Sequence, residues 1–400
     1  MAAFVLDLAA MVGAVSLPFV VFNQLGGAER MSGTLAGMQS LGYALVCVIS
    51  SRYVSRAKNG IRIAMVGVAI CMSLYVFVPF ARNVYLCGAL AVMALSSLAL
   101  VWPALHSWVG GEPDARLRSR RMGSFNISWS SGFIVGPLFA GPLYDFDYRA
   151  PFLFMFVLGV ITFLLLWSLP HEKQHFAVQT EEANRARTAD ARRSETMLYA
   201  AWCATIVANF LVAATRSVYP KRIQDLVVSG ELRLLFESTP AAFLTTNEAT
   251  KYSWLAATLS LSTAATFVIL GRTSFWQHRI RYVVGLQILS AAAFWALVQT
   301  RSLVIMGVCF AAVGLLPGMA FFSSTYYSLS NGEHKHRRAT LNEACVGIGG
   351  FSGSMAFGHL ARIYGIGMPF AYTPWFIAAA IAAQFGLVAY GRRKAERTPQ

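Results

Sequence analysis

The chain has 400 residues, of which 56% are hydrophobic and 13% charged, and its formal net charge is +15. A soluble protein carries about 25% charged residues; here the charges cluster between apolar runs that reach the roughly 20 residues of a membrane helix. A soluble fold is excluded, and so is nucleic-acid binding, because the basic excess lies in loops at a membrane surface, where it meets anionic lipid.

Twelve spans are expected, at about 3–24, 32–50, 61–80, 84–106, 123–143, 151–169, 197–218, 252–270, 282–299, 302–328, 339–361 and 370–390. The first has no Lys or Arg before Arg30 and no convincing cleavage site, so it reads as a retained helix rather than a signal peptide. Basic clusters recur on alternate connections. They include Arg52, Arg56, Lys58 and Arg62; Arg116, Arg118, Arg120 and Arg121; Arg272, Arg279 and Arg281; and Lys335, Arg337 and Arg338. The intervening short hairpins carry mostly single charges, Arg30, Arg82, Arg149, Arg301 and Arg362. By the positive-inside rule both termini are cytoplasmic.

Halfway along the first part of the chain lies Gly132–Leu143, "GFIVGPLFAGPL", with three glycines and two prolines in an apolar run. Gly and Pro are poor helix formers in water, but in lipid the cost of unpaired backbone forces the helix, and small residues let helices approach closely. Gly132 and Gly136 share one helical stripe, Pro137 removes a backbone donor, and Gly141 lies off the stripe, where a second contact is expected. The motif reads as a hinged seam between moving bundles, or as plain small-residue packing.

The same pattern returns later. Gly349, Gly353 and Gly358 follow Gly132, Gly136 and Gly141 at an offset of 217, as Arg337-Arg338 follow Arg120-Arg121; Pro369-Phe370 follow Pro151-Phe152 at 218. The chain is therefore expected to be an all-α integral membrane protein of 12 transmembrane helices in two pseudo-symmetric six-helix bundles. Residues 1–169 form the first bundle, 170–196 a cytoplasmic linker, 197–391 the second bundle, and 392–400 a basic cytoplasmic tail. The outer connection 219–251 is far longer than its first-half equivalent. An insertion is expected near 229–246, with room for a short amphipathic helix.

Two six-helix halves, cytoplasmic termini and a central linker resemble the major facilitator superfamily, over nearly the whole chain. "GFIVGPLFAG" is similar to the helix 5 motif of that superfamily, which is most associated with exporters and antiporters. "YRAPF", Tyr148–Phe152, resembles the family's approach to helix 6. The family's cytoplasmic loop motif, Gly-x-x-x-Asp-Arg-x-Gly-Arg, is eroded. In the first half Ser51 and Ser55 replace the Gly and the Asp, and Arg56 survives. In the second half Gly271 survives, followed by Arg272, but Phe275 and Trp276 stand at the Asp-Arg pair. The resemblance implies a central cavity lined by helices 1, 4, 7 and 10, with 5 and 11 contributing.

Ionisable groups within the spans are functional candidates, because a charge at the bilayer centre costs about 2.5–3.5 kcal/mol. Glu343, beside Asn342, reads either as a protonatable or substrate-binding site at the inner cavity mouth or as a first-turn acid steadied by Arg337 and Arg338. Asp7 reads more simply as a first-turn acid of helix 1. Arg216 either snorkels outward from helix 7 or faces an anionic substrate. His106 ends helix 4 and His359 lies near the outer end of helix 11; both read first as interfacial. Tyr326 and Tyr327, in "FFSSTYYS", suit either an organic solute or an interface belt. Asn126 and Asn209 are polar candidates that equally bridge helices.

The six cysteines have no CxxC spacing, and no metal site, cofactor motif or catalytic constellation is expected. The expected protein is a monomeric secondary transporter of the bacterial inner membrane, moving a small organic solute by alternating access, with proton-coupled efflux the leading mode. The alternatives are an uptake symporter of the same fold, a transporter-like receptor that binds without transporting, and a membrane enzyme, which would need a polar cluster the spans lack.

Overall fold

A computed structural model describes residues 1–54, 59–110, 115–169, 181–235, 248–329 and 335–397. Among the described residues twelve long helices follow one another. Helix 1 is Ala2–Phe19, continued by a π turn Val20–Gln24; helix 2 is Glu29–Val54; helix 3 is Gly60–Tyr75. Helix 4 runs Val84–Ser97, passes a tight turn Leu98–Leu100 and resumes at Val101–Gly110. Helix 5 is Ala115–Phe146 and helix 6 Ala150–Trp167. Helices 7 to 12 are Glu181–Ser217, Glu248–Arg272, Ile280–Gln299, Leu303–Leu329, Lys335–Tyr364 and Gly367–Arg397. Much of the expected linker, 170–180, lies outside the described residues, as do Arg56 and the end of the basic tail.

Among the described residues, ten helices are long and apolar enough to cross a membrane, and helices 5 and 11 are not among them. These two carry the repeated glycines, and the glycines show how the helices are accommodated. A Cβ on Gly132 would fall within 3.0 Å of the Phe4 carbonyl and the Leu8 nitrogen of helix 1; one on Gly136 would meet Leu8 and Met11. In the second half Gly349 and Gly353 press in the same way on Ile206 and Phe210 of helix 7. The Gly132–Gly136 stripe therefore packs inside its own bundle, which corrects its reading as a seam between moving bundles. The off-stripe Gly141 meets Ala249, Thr250 and Ser253 of helix 8, in the other bundle, and its repeat partner Gly358 meets Glu29 and Gly33 of helix 2.

The Pro-Phe repeat has the same logic. Phe152 and Phe370 are both fully buried, stacked on Tyr75 of helix 3 at 6.4 Å and on Phe294 of helix 9 at 5.4 Å between ring centroids. Sequence offset and three-dimensional pseudo-symmetry thus coincide residue by residue.

The long outer connection opens with an amphipathic helix, Tyr219–Val228, which precedes the expected insertion and buries Tyr219, Ile223 and Leu226. The following strand-like stretch pairs with the start of helix 10: the Arg233 N–H donates to the Arg301 carbonyl at 2.9 Å, and the Leu303 N–H donates back to the Arg233 carbonyl at 2.8 Å. The remainder of the insertion, 236–247, lies outside the described residues. Lys251, at its far boundary, is a buried residue of helix 8.

The eroded loop motif between helices 8 and 9 is held by side chains other than the family's acid and base. Trp276, at the position of the family's Arg, is 1% exposed. Its indole N–H reaches the Leu270 and Thr273 carbonyls at 3.0 and 2.8 Å, and its ring sits edge-on to Phe322 and Tyr326. His278, where the motif has its second Gly, takes φ 57°, a left-handed conformation costly for a side-chain-bearing residue. The Tyr327 hydroxyl accepts its backbone N–H at 2.8 Å. Tyr327 is thus a brace for this elbow, not a belt residue. Tyr327→Phe leaves that N–H without its acceptor and is expected to cost about 1–3 kcal/mol, read as a lowered melting temperature of the purified protein.

Candidate functional site

The bundles meet along two pseudo-symmetric seams, helix 5 with helix 8 and helix 2 with helix 11. Both are tied at the end away from the chain termini. Beside Gly141, the Asp145 carboxylate accepts the Thr250 N–H at 3.0 Å and its hydroxyl at 2.5 Å. Beside Gly358, the Arg30 side chain donates to His359 Nε2 at 3.2 Å, while the other ring nitrogen of His359 lies 2.9 Å from the Met355 carbonyl. Between the seams Asn23, from the end of helix 1, donates to Glu248 at 3.2 Å and accepts from Gln224. The Ser32 hydroxyl donates to the Ser217 carbonyl at 2.7 Å. Helix 1 also touches helix 7. Among the described residues helices 4 and 10, which would close the termini side, share no such packing. The chain is sealed at the face opposite its termini.

Below this seal, charge and aromatic surface converge from both bundles. Arg216 does not snorkel outward. Its guanidinium lies over the Phe133 ring at 5.4 Å and reaches the Met11 sulfur at 3.9 Å, so it crosses from helix 7 onto helices 1 and 5. Asp7 and Tyr252 lie within electrostatic range of it, and the Tyr252 hydroxyl is held by the Thr215 carbonyl at 2.9 Å. Helix 1 begins at Ala2 with no acid in its first turn, so Asp7 is not a first-turn acid. It is an interior carboxyl against the Gly132 backbone, with one oxygen buried and without a hydrogen-bond partner. Such a group is costly in low dielectric unless it has a use.

Helix 5 presents a second feature that sequence reading missed. Trp129 crosses the 5/8 seam to Phe267, 5.5 Å away and edge-on, and Phe267 continues to Phe321 of helix 10 at 6.2 Å. Trp129 and Phe133, one turn apart, are in edge-on contact at 6.5 Å; that i, i+4 aromatic pair was the available signal. Trp129 also donates to Asn126 at 3.3 Å, which places Asn126 beside the aromatic bridge.

The third element lies nearer the termini. Glu343 is also not in the first turn of its helix, which starts at Lys335. Its carboxylate accepts the Tyr43 hydroxyl at 3.3 Å, across the 2/11 seam. Arg338 is not its partner: it forms an ion pair with Glu195 of helix 7 at 2.5 Å. Asn342 is buried, donating to Thr325 at 3.4 Å with its carbonyl oxygen unpartnered. Asn209 turns back to the Thr205 carbonyl at 2.9 Å and packs against Gly349. Tyr326 packs on Trp276 in the loop elbow, and Gly271 and Arg272 are exposed there at the end of helix 8. The His106 side chain lies outside the described residues. The structure thus gathers Asp7 and Arg216 at one point and Glu343 with Asn342 at another, and assigns Tyr326, Tyr327 and Asn209 to packing.

The family model described as Major Facilitator Superfamily matches residues 1–354. The chain belongs to the major facilitator superfamily. It is an integral membrane transporter of that superfamily rather than an enzyme, with a small-molecule substrate. Two solved superfamily structures share the fold. A bacterial homologue of the human lysosomal transporter Spinster, inward-facing and occupied, matches 98% of this chain and 90% of its own at 15% identity, with a TM-score of 0.66. The nucleoside transporter NupG matches 96% and 97% at 10% identity, with a TM-score of 0.69. In Bacillus subtilis (strain 168), Multidrug resistance protein 2 is 30% identical over 130 residues, which span 31% of this chain and only 32% of that protein. Multidrug resistance protein 1 is 21% identical over 90% of this chain and 88% of its own.

Proposed function

We propose that the protein exports a small organic solute in exchange for protons, by rocking its two bundles about the Asp7–Arg216 level. The observation that carries this reading is the placement of ionisable side chains at contacts between the bundles. Asp7 on helix 1 lies within electrostatic range of Arg216 on helix 7, and Glu343 on helix 11 holds Tyr43 on helix 2. A proton that arrives at or leaves such a carboxyl changes a contact that one conformation has and the other lacks, which is what coupling requires. The aromatic bridge Trp129–Phe267–Phe321 offers flat apolar faces to an organic ring. The multidrug-resistance relatives favour efflux, and the basic loops favour cytoplasmic termini, so that the sealed face is the outer one. We infer a monomer in the bacterial inner membrane.

A thermal-shift screen of the purified protein against metabolites and drugs supplies the ligand, and flux in proteoliposomes tests the reading. A stabilising ligand is expected to exchange in counterflow and to accumulate against its gradient when a pH gradient is imposed. Glu343→Gln is expected to keep counterflow and to lose pH-driven accumulation about tenfold or more. Ligands that bind without counterflow would make the protein a receptor, and pH-driven accumulation undiminished in Glu343→Gln would remove that residue from coupling.

A further inference from the structure

At the termini side of the second bundle an open cleft of about 460 Å³ lies between Met197 of helix 7, the start of helix 9 and the last turns of helix 12. It is lined by His278, Arg279, Arg281 and Arg392 together with Met197, Ile280 and Val388, with no acidic residue among them. The three arginines are exposed. Arg281 bonds the neighbouring Tyr282 hydroxyl at 3.1 Å and lies over its ring, and Arg279 reaches the same tyrosine. Gly391 brings helix 12 against the Thr196 backbone of helix 7, so the walls are rigidly joined.

The cleft continues inward. Met197, Arg279 and Ile280 also line a narrow recess of about 20 Å³, roofed by Trp276 and Tyr327 and ending on Gln384. Gln384 is fully buried, and the group beside its amide is the Cys203 thiol, a weak hydrogen-bonding partner that leaves the amide largely unmet. An unmet buried amide calls for a polar group the protein does not supply, and the recess has room for one such group. Beyond the cleft the outward faces of helices 9 and 12 are apolar, with Ile288 and Phe385 exposed.

A cationic rim, a polar point one to two turns deeper and an apolar surface alongside match the order of groups in an anionic lipid at the cytoplasmic leaflet. We propose that this cleft binds an anionic glycerophospholipid: Arg279, Arg281 and Arg392 hold the phosphate, Gln384 meets an ester carbonyl, and the acyl chains run along helices 9 and 12.

The test is native mass spectrometry of the purified full-length protein with phosphatidylglycerol and phosphatidylcholine at matched concentration, with thermal stability read in parallel. Phosphatidylglycerol is expected to be retained preferentially and to raise the melting temperature. Each arginine is worth about fivefold in binding, so Arg279→Gln, Arg281→Gln and Arg392→Gln together weaken it about a hundredfold. The triple Lys variant keeps most of the charge-driven affinity, which separates lost binding from lost folding. Gln384→Leu lowers phosphatidylglycerol retention while the lipid-free protein stays folded. Inorganic phosphate at the same concentration gives no shift. Equal retention of both lipids, full retention in the triple Gln variant, or an equal shift with inorganic phosphate overturns the proposal.

Discussion

Asp7→Asn and Arg216→Gln are each expected to abolish flux and to lower the melting temperature, while the double variant regains stability without regaining flux. Both groups lie in the membrane interior, Asp7 with an oxygen that has no hydrogen-bond partner and Arg216 on Phe133 and Met11. Removing one charge strands the other in low dielectric, at a cost of about 2.5–3.5 kcal/mol; removing both leaves two neutral side chains and a repairable gap. Transport does not return because the neutral pair offers no charge for substrate or proton to act on. The measurement is a double-mutant cycle on thermal stability beside proteoliposome flux. If the double variant is less stable than either single one, the two residues are not a pair, and the proposed centre loses its electrostatic basis.

The glycines are expected to divide into two phenotypes. Leu at Gly136 or Gly353 forces a side chain into the backbone of a helix in the same bundle, against Leu8 or Phe210. The expected outcome is failure to assemble, seen as loss of folded protein on size-exclusion chromatography. Leu at Gly141 or Gly358 instead wedges the seams between bundles, against Thr250 or Gly33. Each bundle remains intact, and overpacking of about 1–3 kcal/mol falls only on the sealed conformation. That is a shift of roughly 5- to 150-fold toward opening at the sealed face, measurable as faster labelling of a single cysteine introduced at a buried position beneath it. Folded protein with unchanged labelling in Gly358→Leu would show that the seam does not control opening.

Much of this arrangement was legible in the chain. The Gly-x-x-x-Gly repeats and the Pro-Phe pairs announced the duplication because close backbone approach and a buried ring at a helix start each demand a particular residue. The spans were legible because lipid selects for continuous apolar runs. What escaped were relations between distant residues. Gly132 and Gly141 look alike in sequence, yet one faces helix 1 and the other helix 8, and only the rotation of helix 5 distinguishes them. Glu343 looked like a first-turn acid because its helix begins at Lys335, ahead of its apolar run; helix 1 begins where the sequence places it, and Asp7 sits just past the first turn. Arg216 carried no sign of whether it points to lipid headgroups or inward; Phe133 and Met11, the residues that settle it, lie 83 and 205 positions away. The loop elbow was hidden because its ties run from Trp276 and His278 to helices 8 and 10, at positions where the usual motif residues are gone.

The limited apolarity of helices 5 and 11 bears on how the chain enters the bilayer at all. Neither resides comfortably in lipid alone, because the surface that carries its glycines is largely bare peptide backbone. Each needs a cradle, and the cradle is helix 1 for one and helix 7 for the other. In both halves the ribosome makes the cradle first. Biogenesis therefore has a built-in direction: a nascent chain interrupted before helix 5 still holds a waiting groove, whereas a fragment that starts after helix 7 delivers helix 11 to the translocon with nothing to receive it.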